Sequence, residues 1–296
     1  MRSRDMMLAA FTSVSWGFAF VAIRYGLDSF SAPQLTALRF LIACVPVLWV
    51  PRPRISWQRL VLLGLTLFLG QFLLLFFAFD AGLPPGLASV SVQMHVFFTV
   101  LLAAVFLREV PNARQVLGMS AAFAGLALIG WTVGAELRPA ALLLALAGAL
   151  SWAVGNLVLK RLPRVPMVSL VVWCSLVPPL PALLLASGSG GSANLARAVL
   201  DASWPSLAAA VYLGVVATVL AYASWGRLLQ RYPAAVVAPF ALLSPCAGVL
   251  ASAAIFGEVF SPLRYAGMAL ILGGLAVILL PAGWVQRVKP AAGRAG

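Results

Sequence analysis

The segment Leu107–Ile129, with the sequence LREVPNARQVLGMSAAFAGLALI, occurs a second time in this chain. The second copy, Phe256–Ile278, reads FGEVFSPLRYAGMALILGGLAVI and lies 149 residues further on. Eight positions are identical in the two copies: Glu109/Glu258, Val110/Val259, Gly118/Gly267, Met119/Met268, Gly125/Gly274, Leu126/Leu275, Ala127/Ala276 and Ile129/Ile278. Such a recurrence indicates that the chain is one structural unit written twice, and this duplication decides the fold.

An earlier pair of matching segments supports the duplication. Ser15-Trp16-Gly17 matches Ser151-Trp152-Ala153 at an offset of 136 residues. The two offsets differ by 149 − 136 = 13 residues, about the length of the polar insert Ser187–Asp201. We therefore divide the chain into a first repeat, residues 1–134, and a second repeat, residues 135–296.

The composition indicates that the repeats face lipid. Hydrophobic residues make up 63% of the chain and charged residues only 9%, and the mean hydropathy is +1.04. Soluble domains contain about 45–50% apolar and about 25% charged residues. The sequence therefore predicts an all-α polytopic membrane protein. Spans of about 20 apolar residues are predicted at ten places: 6–24, 33–50, 59–79, 86–107, 112–132, 139–159, 167–186, 205–226, 234–256 and 262–281.

The basic residues predict the orientation. Fifteen of the 20 Lys and Arg residues lie in or beside one alternating set of connections, the last of which holds Arg287, Lys289 and Arg294. Connections rich in Lys and Arg stay in the cytoplasm, so both termini are predicted to be cytoplasmic. The net charge of +13 is thus a topology signal. No nucleic-acid partner is expected, because these bases are spread over six short segments instead of one soluble face.

An odd number of spans in each repeat has a geometric consequence. The first span runs from inside to outside, so the equivalent sixth span runs the other way. The two five-helix repeats are therefore predicted to be inverted, as in many secondary transporters, with a substrate site near the membrane midplane between them. The alternative is a duplication that serves helix packing only.

Several features resemble the EamA-type family of the drug/metabolite transporter superfamily. They are the duplicated five-helix units, Trp16 and Trp152 early in each unit, Leu38-Arg39-Phe40 in the second span, and Glu109 and Glu258 closing the fourth and ninth spans. Gly86-Leu87-Ala88-Ser89 followed by Phe97-Phe98-Thr99 is similar to exporters of cysteine and O-acetylserine, and aromatic-amino-acid exporters of the YddG type share the architecture. The resemblance implies export of amino acids or related metabolites from a bacterial cell without ATP, across the inner membrane.

Polar side chains inside a span are costly, so they mark candidate functional positions. His95, in the middle of the fourth span, can donate and accept hydrogen bonds. It could bind the polar head of a small zwitterion, carry a proton, or make one structural hydrogen bond. Gln93 lies about 200° around the helix from His95, so both cannot point into one narrow cavity. The full set of candidate substrate-binding residues is Trp16, Gln71, Gln93, His95, Trp152, Asn156 and Tyr222.

Three further features have predicted roles. Arg39, in the second span, could bind a substrate carboxylate or anchor its helix to the interface or to backbone carbonyls. Pro245 removes a backbone hydrogen bond in the ninth span and is predicted to kink it. Small residues let membrane helices approach closely. The fifth and tenth spans are therefore predicted to be packed through four glycines: Gly118, Gly125, Gly267 and Gly274.

Several other activities lack the residues they need. The sequence has no Walker-type glycine loop, and its isolated cysteines Cys44, Cys174 and Cys246 form neither a zinc motif nor a disulfide framework. No metal or cofactor is expected, and one histidine without a buried carboxylate offers no acid–base pair for an enzyme. The prediction is a monomeric alternating-access uniporter for a small amino acid. The alternatives are a proton-coupled antiporter, a channel and a non-transporting membrane scaffold.

Overall fold

The computed structural model describes residues 1–83, 85–131, 138–188, 195–257 and 261–279. Within these ranges the chain forms helices and connections, with no β-strand. The helices are α1 Ser3–Leu27, α2 Ala32–Leu48, α3 Trp57–Phe79, α4 Pro85–Leu107, α5 Ala113–Trp131, α6 Pro139–Lys160, α7 Met167–Ala186, α8 Leu195–Asp201, α9 Trp204–Arg231, α10 Ala234–Phe256 and α11 Pro262–Leu279.

The apolar helices confirm the predicted all-α membrane class. Eight of those in the described ranges are long and apolar enough to cross a membrane, and Ala32–Leu48 and Ser91–Leu107 are shorter apolar helices. Each predicted span falls on one of these elements. The short helix Leu195–Asp201, inside the polar insert, was not predicted. Outside the described residues lie Glu258, Val259 and the C-terminal bases Arg287, Lys289 and Arg294.

Prolines open several helices. Pro33, Pro139 and Pro205 stand in the first two positions of α2, α6 and α9. The first N–H groups of a helix have no partner within it, so proline costs nothing there. Prolines inside the predicted seventh span have another effect. Pro178 and Pro179 divide α7 into a first part, Met167–Cys174, and a second part that begins at Pro179, because a proline ring clashes with the preceding helical turn.

Two helices contain a wide turn that nothing in the sequence predicts. Residues Gly64–Gly70 of α3 and Val215–Leu220 of α9 are π-helical. The two segments occupy corresponding positions in the two repeats. Single π turns inside α-helices often occur at functional sites.

Contacts at the helix ends divide the molecule into two opposite ends. At one end, Asp5 of α1 bonds to Arg231 of α9, and Glu109 after α4 bonds to Lys160 of α6. At the other end, Ser29 after α1 bonds to Ser206 of α9. The helices α1, α6 and α9 therefore connect one end of the molecule to the other.

The glycines of α5 and α11 bring the two backbones into contact. A Cβ atom on Gly118 would lie 2.5 Å from the carbonyl oxygen of Gly274, and one on Gly267 would lie 2.6 Å from that of Gly125. Because higher numbers on α5 meet lower numbers on α11, the two helices are antiparallel.

Candidate binding site

Four aromatic side chains from three helices meet in the interior. Trp16 of α1 lies 5.8 Å from Trp152 of α6, 5.2 Å from Tyr222 and 5.1 Å from Trp225, both of α9, measured between ring centroids. Trp152 and Trp225 are 5.6 Å apart. We call these four residues the aromatic cluster. Ring pairs at these distances attract each other through edge-to-face contact and buried area.

The structure adds Trp225 to the predicted set. Trp225 follows Tyr222 by three residues, so both side chains lie on one face of α9. Its side chain is fully buried. The spacing from Tyr222 was a signal in the sequence, but it predicts a shared face without showing which helix that face contacts.

His95 of α4 joins the aromatic cluster through Trp152. The two ring centroids are 3.9 Å apart, and the side chains are 4% and 2% exposed. By distance and angle, neither Nδ1 of His95 nor Nε1 of Trp152 has a hydrogen-bond partner among the described residues, although the Tyr222 hydroxyl lies close enough to Trp152 to interact with it. Most buried polar atoms in proteins are paired, because an unpaired one costs about 1–3 kcal/mol. Two such atoms on rings that touch are therefore a candidate contact point for a ligand.

The Asn156 side chain forms two hydrogen bonds next to the aromatic cluster. Its Oδ1 accepts a hydrogen bond from Nε1 of Trp225 at 3.1 Å, and its Nδ2 donates to Oγ1 of Thr99 at 3.1 Å. The amide thus links α6, α9 and α4 and holds the Trp225 ring in place. Thr99 was not predicted, although it follows His95 by four residues and so shares its helix face.

Gln71 of α3 reaches the cluster at its edge. The hydroxyl of Tyr222 donates to Oε1 of Gln71 over 3.5 Å, which is long for a hydrogen bond. Phe68, one helical turn earlier on α3, lies 4.9 Å from the Tyr222 ring. The predicted residues Trp16, Gln71, His95, Trp152, Asn156 and Tyr222 are therefore brought together, directly or through Trp225.

Gln93 points away from this group, toward α10. Its Nε2 donates to the carbonyl oxygen of Ala241 at 3.2 Å. In a regular helix that carbonyl would accept from the N–H four residues later, but residue 245 is Pro245 and has none. The N–H of Leu243 also reaches the carbonyl, across a tight turn. The irregular segment lies at Ala238–Leu242, just before Pro245, where the proline ring would clash with a regular turn.

The π turn of α9 provides bonding groups for α1 and α2. The carbonyl of Ala217 accepts from Nε1 of Trp16 at 3.1 Å and from Nη2 of Arg39 at 3.4 Å. Nε of Arg39 donates to Oγ1 of Thr218 at 2.7 Å. Arg39 is buried and bound to a backbone carbonyl and a hydroxyl. This agrees with the alternative in which Arg39 anchors its helix to backbone carbonyls. Thr218 was not among the predicted site residues, and its signal in the sequence is only an isolated hydroxyl.

One end of the molecule carries a polar network, which we call the end network. Glu109 forms an ion pair with Lys160 at 3.0 Å and accepts from the backbone N–H of Ala234 at 2.9 Å. Lys160 also donates to the carbonyls of Leu229 and Tyr232. The Tyr232 hydroxyl in turn donates to Asp5 at 2.6 Å. These bonds connect α1, α4, α6, α9 and α10, so elements of both repeats are held together here.

Comparisons with known proteins agree with this architecture. The EamA-like transporter family matches residues 4–131 and again residues 139–280. A Salmonella typhimurium protein named "Probable amino-acid metabolite efflux pump" is 37% identical over 94% of this chain and 95% of its own length. An Escherichia coli K12 protein of the same name is 34% identical over 98% of this chain and 99% of its own.

Two more distant proteins extend the comparison. A Streptantibioticus cattleyicolor protein named "Probable terminal-alkyne amino-acid exporter" is 28% identical over 93% of both chains. A solved crystal structure superposes with a TM-score of 0.79 at 23% identity, covering 98% of this chain and 100% of its own, which shows a shared fold. The family resemblance predicted from the sequence is thus confirmed, and this chain belongs to the EamA-like transporter family.

Proposed function

We propose that this protein exports amino acids or related small metabolites across the bacterial inner membrane by alternating access. Residues 1–134 and 135–296 act as two inverted repeats of five membrane helices, with both termini in the cytoplasm. Relatives named as amino-acid metabolite efflux pumps, and a relative named as an inner membrane transporter, support this assignment. The substrate binds between the repeats, at the aromatic cluster and His95.

The unpaired nitrogens of His95 and Trp152 are the observation that carries the proposal. An indole N–H can only donate, which suits a carboxylate oxygen. When the imidazole proton is on Nε2, Nδ1 of His95 accepts, which suits an ammonium group. The faces of Trp16 and Tyr222 add cation–π attraction for the same ammonium. An amino-acid head group carries both the acceptor and the donor that these two atoms lack.

The end network holds the cytoplasmic side closed during one part of the transport cycle. Its bonds join Asp5, Glu109 and Lys160 to the loop between α9 and α10. Opening the cytoplasmic side separates these groups, and closing it restores their bonds. Alternating access needs such discrete contacts on each side of a fixed central site.

We favour facilitated transport down the substrate gradient over proton coupling. A proton-coupled exporter needs a group beside the substrate that titrates near neutral pH, and His95 is the described residue at the aromatic cluster with that chemistry. His95 is therefore either a substrate ligand alone or a ligand that also carries a proton. Transport measurements distinguish the two.

The test is counterflow into proteoliposomes that contain the purified full-length chain and a lumenal pH dye. The vesicles are loaded in turn with each member of a panel of unlabelled amino acids, and uptake of the same labelled compound is followed. Accumulation of one or more labelled amino acids without a pH change supports the uniporter. Proton movement in step with flux, and its loss in His95→Ala, replaces uniport by proton antiport. No accumulation by folded protein contradicts an exporter of amino acids and leaves a membrane scaffold.

Reporter fusions test the orientation separately. Fusions after residue 290 and at Gly188 are expected to be cytoplasmic and periplasmic, respectively. High periplasmic phosphatase activity at residue 290 contradicts the ten-span arrangement, whatever the outcome of the transport assay.

A further inference from the structure

A cleft of about 640 Å³ lies beside the end network, outside the aromatic cluster. It is bounded by the last turns of α9, the start of α7 and the first turns of α1, with Leu8, Arg164, Val168, Leu220 and Arg227 among its lining residues. Neither the candidate substrate site nor the end network accounts for it.

The cleft and the aromatic cluster lie on different faces of α9. Arg227 follows Trp225 by two residues, which places it about 200° around the helix. The cleft side is open: Leu220 is 45% exposed and Val168, on the facing helix α7, is 44% exposed. Apolar residues this exposed on a membrane helix face lipid, so the cleft opens toward the bilayer.

Polarity changes along the length of the cleft. Leu220 and Arg227 are seven residues apart on α9, so they are separated by about 10 Å along the helix axis. The apolar side chains of Leu8, Val168 and Leu220 line the cleft together with the exposed arginines Arg164 and Arg227, and Leu220 lies deeper than Arg227. A phospholipid has the same order, with acyl chains deeper in the membrane than its phosphate.

The two outer arginines are available for an anion. Arg231, which also lines the cleft, is bonded to Asp5 at 3.2 Å. Among the described residues, neither Arg164 nor Arg227 forms an ion pair, although the charge of Arg227 acts on the nearby Asp5 carboxylate. Basic pockets between membrane helices on the cytoplasmic side bind the head groups of anionic lipids, and guanidinium groups hold phosphate through two parallel hydrogen bonds.

We propose that this cleft binds an anionic phospholipid, with its phosphate between Arg164 and Arg227 and an acyl chain along Leu8, Val168 and Leu220. Charge complementarity selects the head group, and the apolar depth selects a lipid over a free anion. The site is distinct from the substrate site, so the inference holds whichever compound is transported.

The first experiment measures lipid affinity by native mass spectrometry of the full chain in detergent, titrated with phosphatidylglycerol or phosphatidylcholine. Arg164→Gln/Arg227→Gln is expected to lower the affinity for phosphatidylglycerol about thirtyfold. The matched control is Arg54→Gln/Arg59→Gln, which removes two exposed arginines just before and within the first turn of α3, in the same basic set. Equal affinity in the two double variants, or equal binding of both lipids by the unmodified chain, overturns the proposal.

The second experiment separates a lipid from a soluble anion. Val168→Trp fills the apolar part of the cleft and is expected to weaken phosphatidylglycerol binding at least threefold. Leu143→Trp, at a position 67% exposed and outside the cleft, is the control. Both variants are first compared by melting temperature without lipid, so that a folding defect is recognised. Displacement of bound phosphatidylglycerol by equimolar inorganic phosphate, or unchanged binding in Val168→Trp, shows that the cleft does not hold a lipid.

Discussion

Gly118 of α5 and Gly274 of α11 each lie against the backbone carbonyl of the other. A Cβ atom on Gly118 would lie 2.5 Å from the Gly274 oxygen. Gly125 and Gly267 repeat the contact seven residues along each helix. The residues next to them also correspond, since Gly118 contacts Ile278 and its equivalent Gly267 contacts Ile129. The helix pair therefore has a local two-fold symmetry.

This symmetry predicts which glycine of α11 tolerates a side chain. Gly274→Ala is expected to destabilise the protein by about 1–3 kcal/mol, because a methyl group forces the two backbones apart. Gly273→Ala is the matched control, since nothing lies within 4 Å of a Cβ atom there. Melting temperatures in one detergent compare the two variants. Equal melting temperatures would mean that the helices separate without cost.

The hydrogen bond from Gln93 to Ala241 predicts a rescue. Gln93→Leu removes a donor from this carbonyl and is expected to cost about 0.5–1.5 kcal/mol. Pro245→Ala supplies a backbone N–H four residues after Ala241, so the double variant should regain stability. Melting temperature and counterflow rate are measured for both single variants and the double variant. A loss of transport that Pro245→Ala fails to restore would assign Gln93 to the substrate instead.

Substitutions that remove the unpaired nitrogens of His95 and Trp152 are expected to reduce transport with little loss of stability. His95→Phe and Trp152→Phe keep a ring in place but remove the groups proposed to bind substrate. Loss of a hydrogen bond to a charged ligand costs about 1.5–3 kcal/mol, so counterflow at low substrate concentration should fall about tenfold to a hundredfold.

The control for these two variants is Trp131→Phe. Trp131 is 83% exposed on α5, away from the cluster. All three variants are reconstituted at equal amounts after their melting temperatures are compared. Counterflow in His95→Phe and Trp152→Phe equal to that of Trp131→Phe would exclude these residues from the substrate site.

Loss of the ion pair between Glu109 and Lys160 is expected to make the proposed cytoplasmic side more accessible. Glu109→Gln keeps the shape of the side chain but removes its charge, so the end network is expected to open about fivefold more often. The measurement is the labelling rate of Ala235→Cys, a buried position beside the network, in a chain without Cys44, Cys174 and Cys246.

Asp201→Asn is the matched control for Glu109→Gln. It breaks an exposed ion pair with Arg197 on α8, which lies near the end of the molecule where Ser29 bonds to Ser206. Only Glu109→Gln should accelerate labelling. Acceleration by both substitutions would indicate general loosening of the fold.

The membrane helices could be predicted from the sequence because lipid imposes one strong requirement. Every spanning backbone must satisfy its own hydrogen bonds, so long apolar segments become helices. Interruptions were less predictable. Pro178 and Pro179 mark the break in α7, yet the segment is apolar enough to have been predicted as one span. The π turn Val215–Leu220 contains no residue type that marks a wide turn.

The candidate site could be predicted where a residue type is itself unusual in the middle of a membrane span. Trp16, Trp152 and His95 are unusual in mid-span, and the structure brings them together. Gln93 is equally unusual, but the carbonyl that it bonds belongs to another helix. The position of that carbonyl depends on Pro245, so the sequence near Gln93 contains no sign of its partner.

The π turn Val215–Leu220 also sets the rotational phase of α9. A π turn holds one residue more than an α turn, so all side chains beyond it are rotated by about 100° relative to an uninterrupted helix. That rotation aims Tyr222 and Trp225 at Trp16 while Arg227 faces the opposite side. Deletion of one residue from the segment would turn the rest of the helix by the same angle. The aromatic rings would then leave their present partners and the arginine would leave the cleft, so this single turn couples the interior of the protein to its lipid-facing surface.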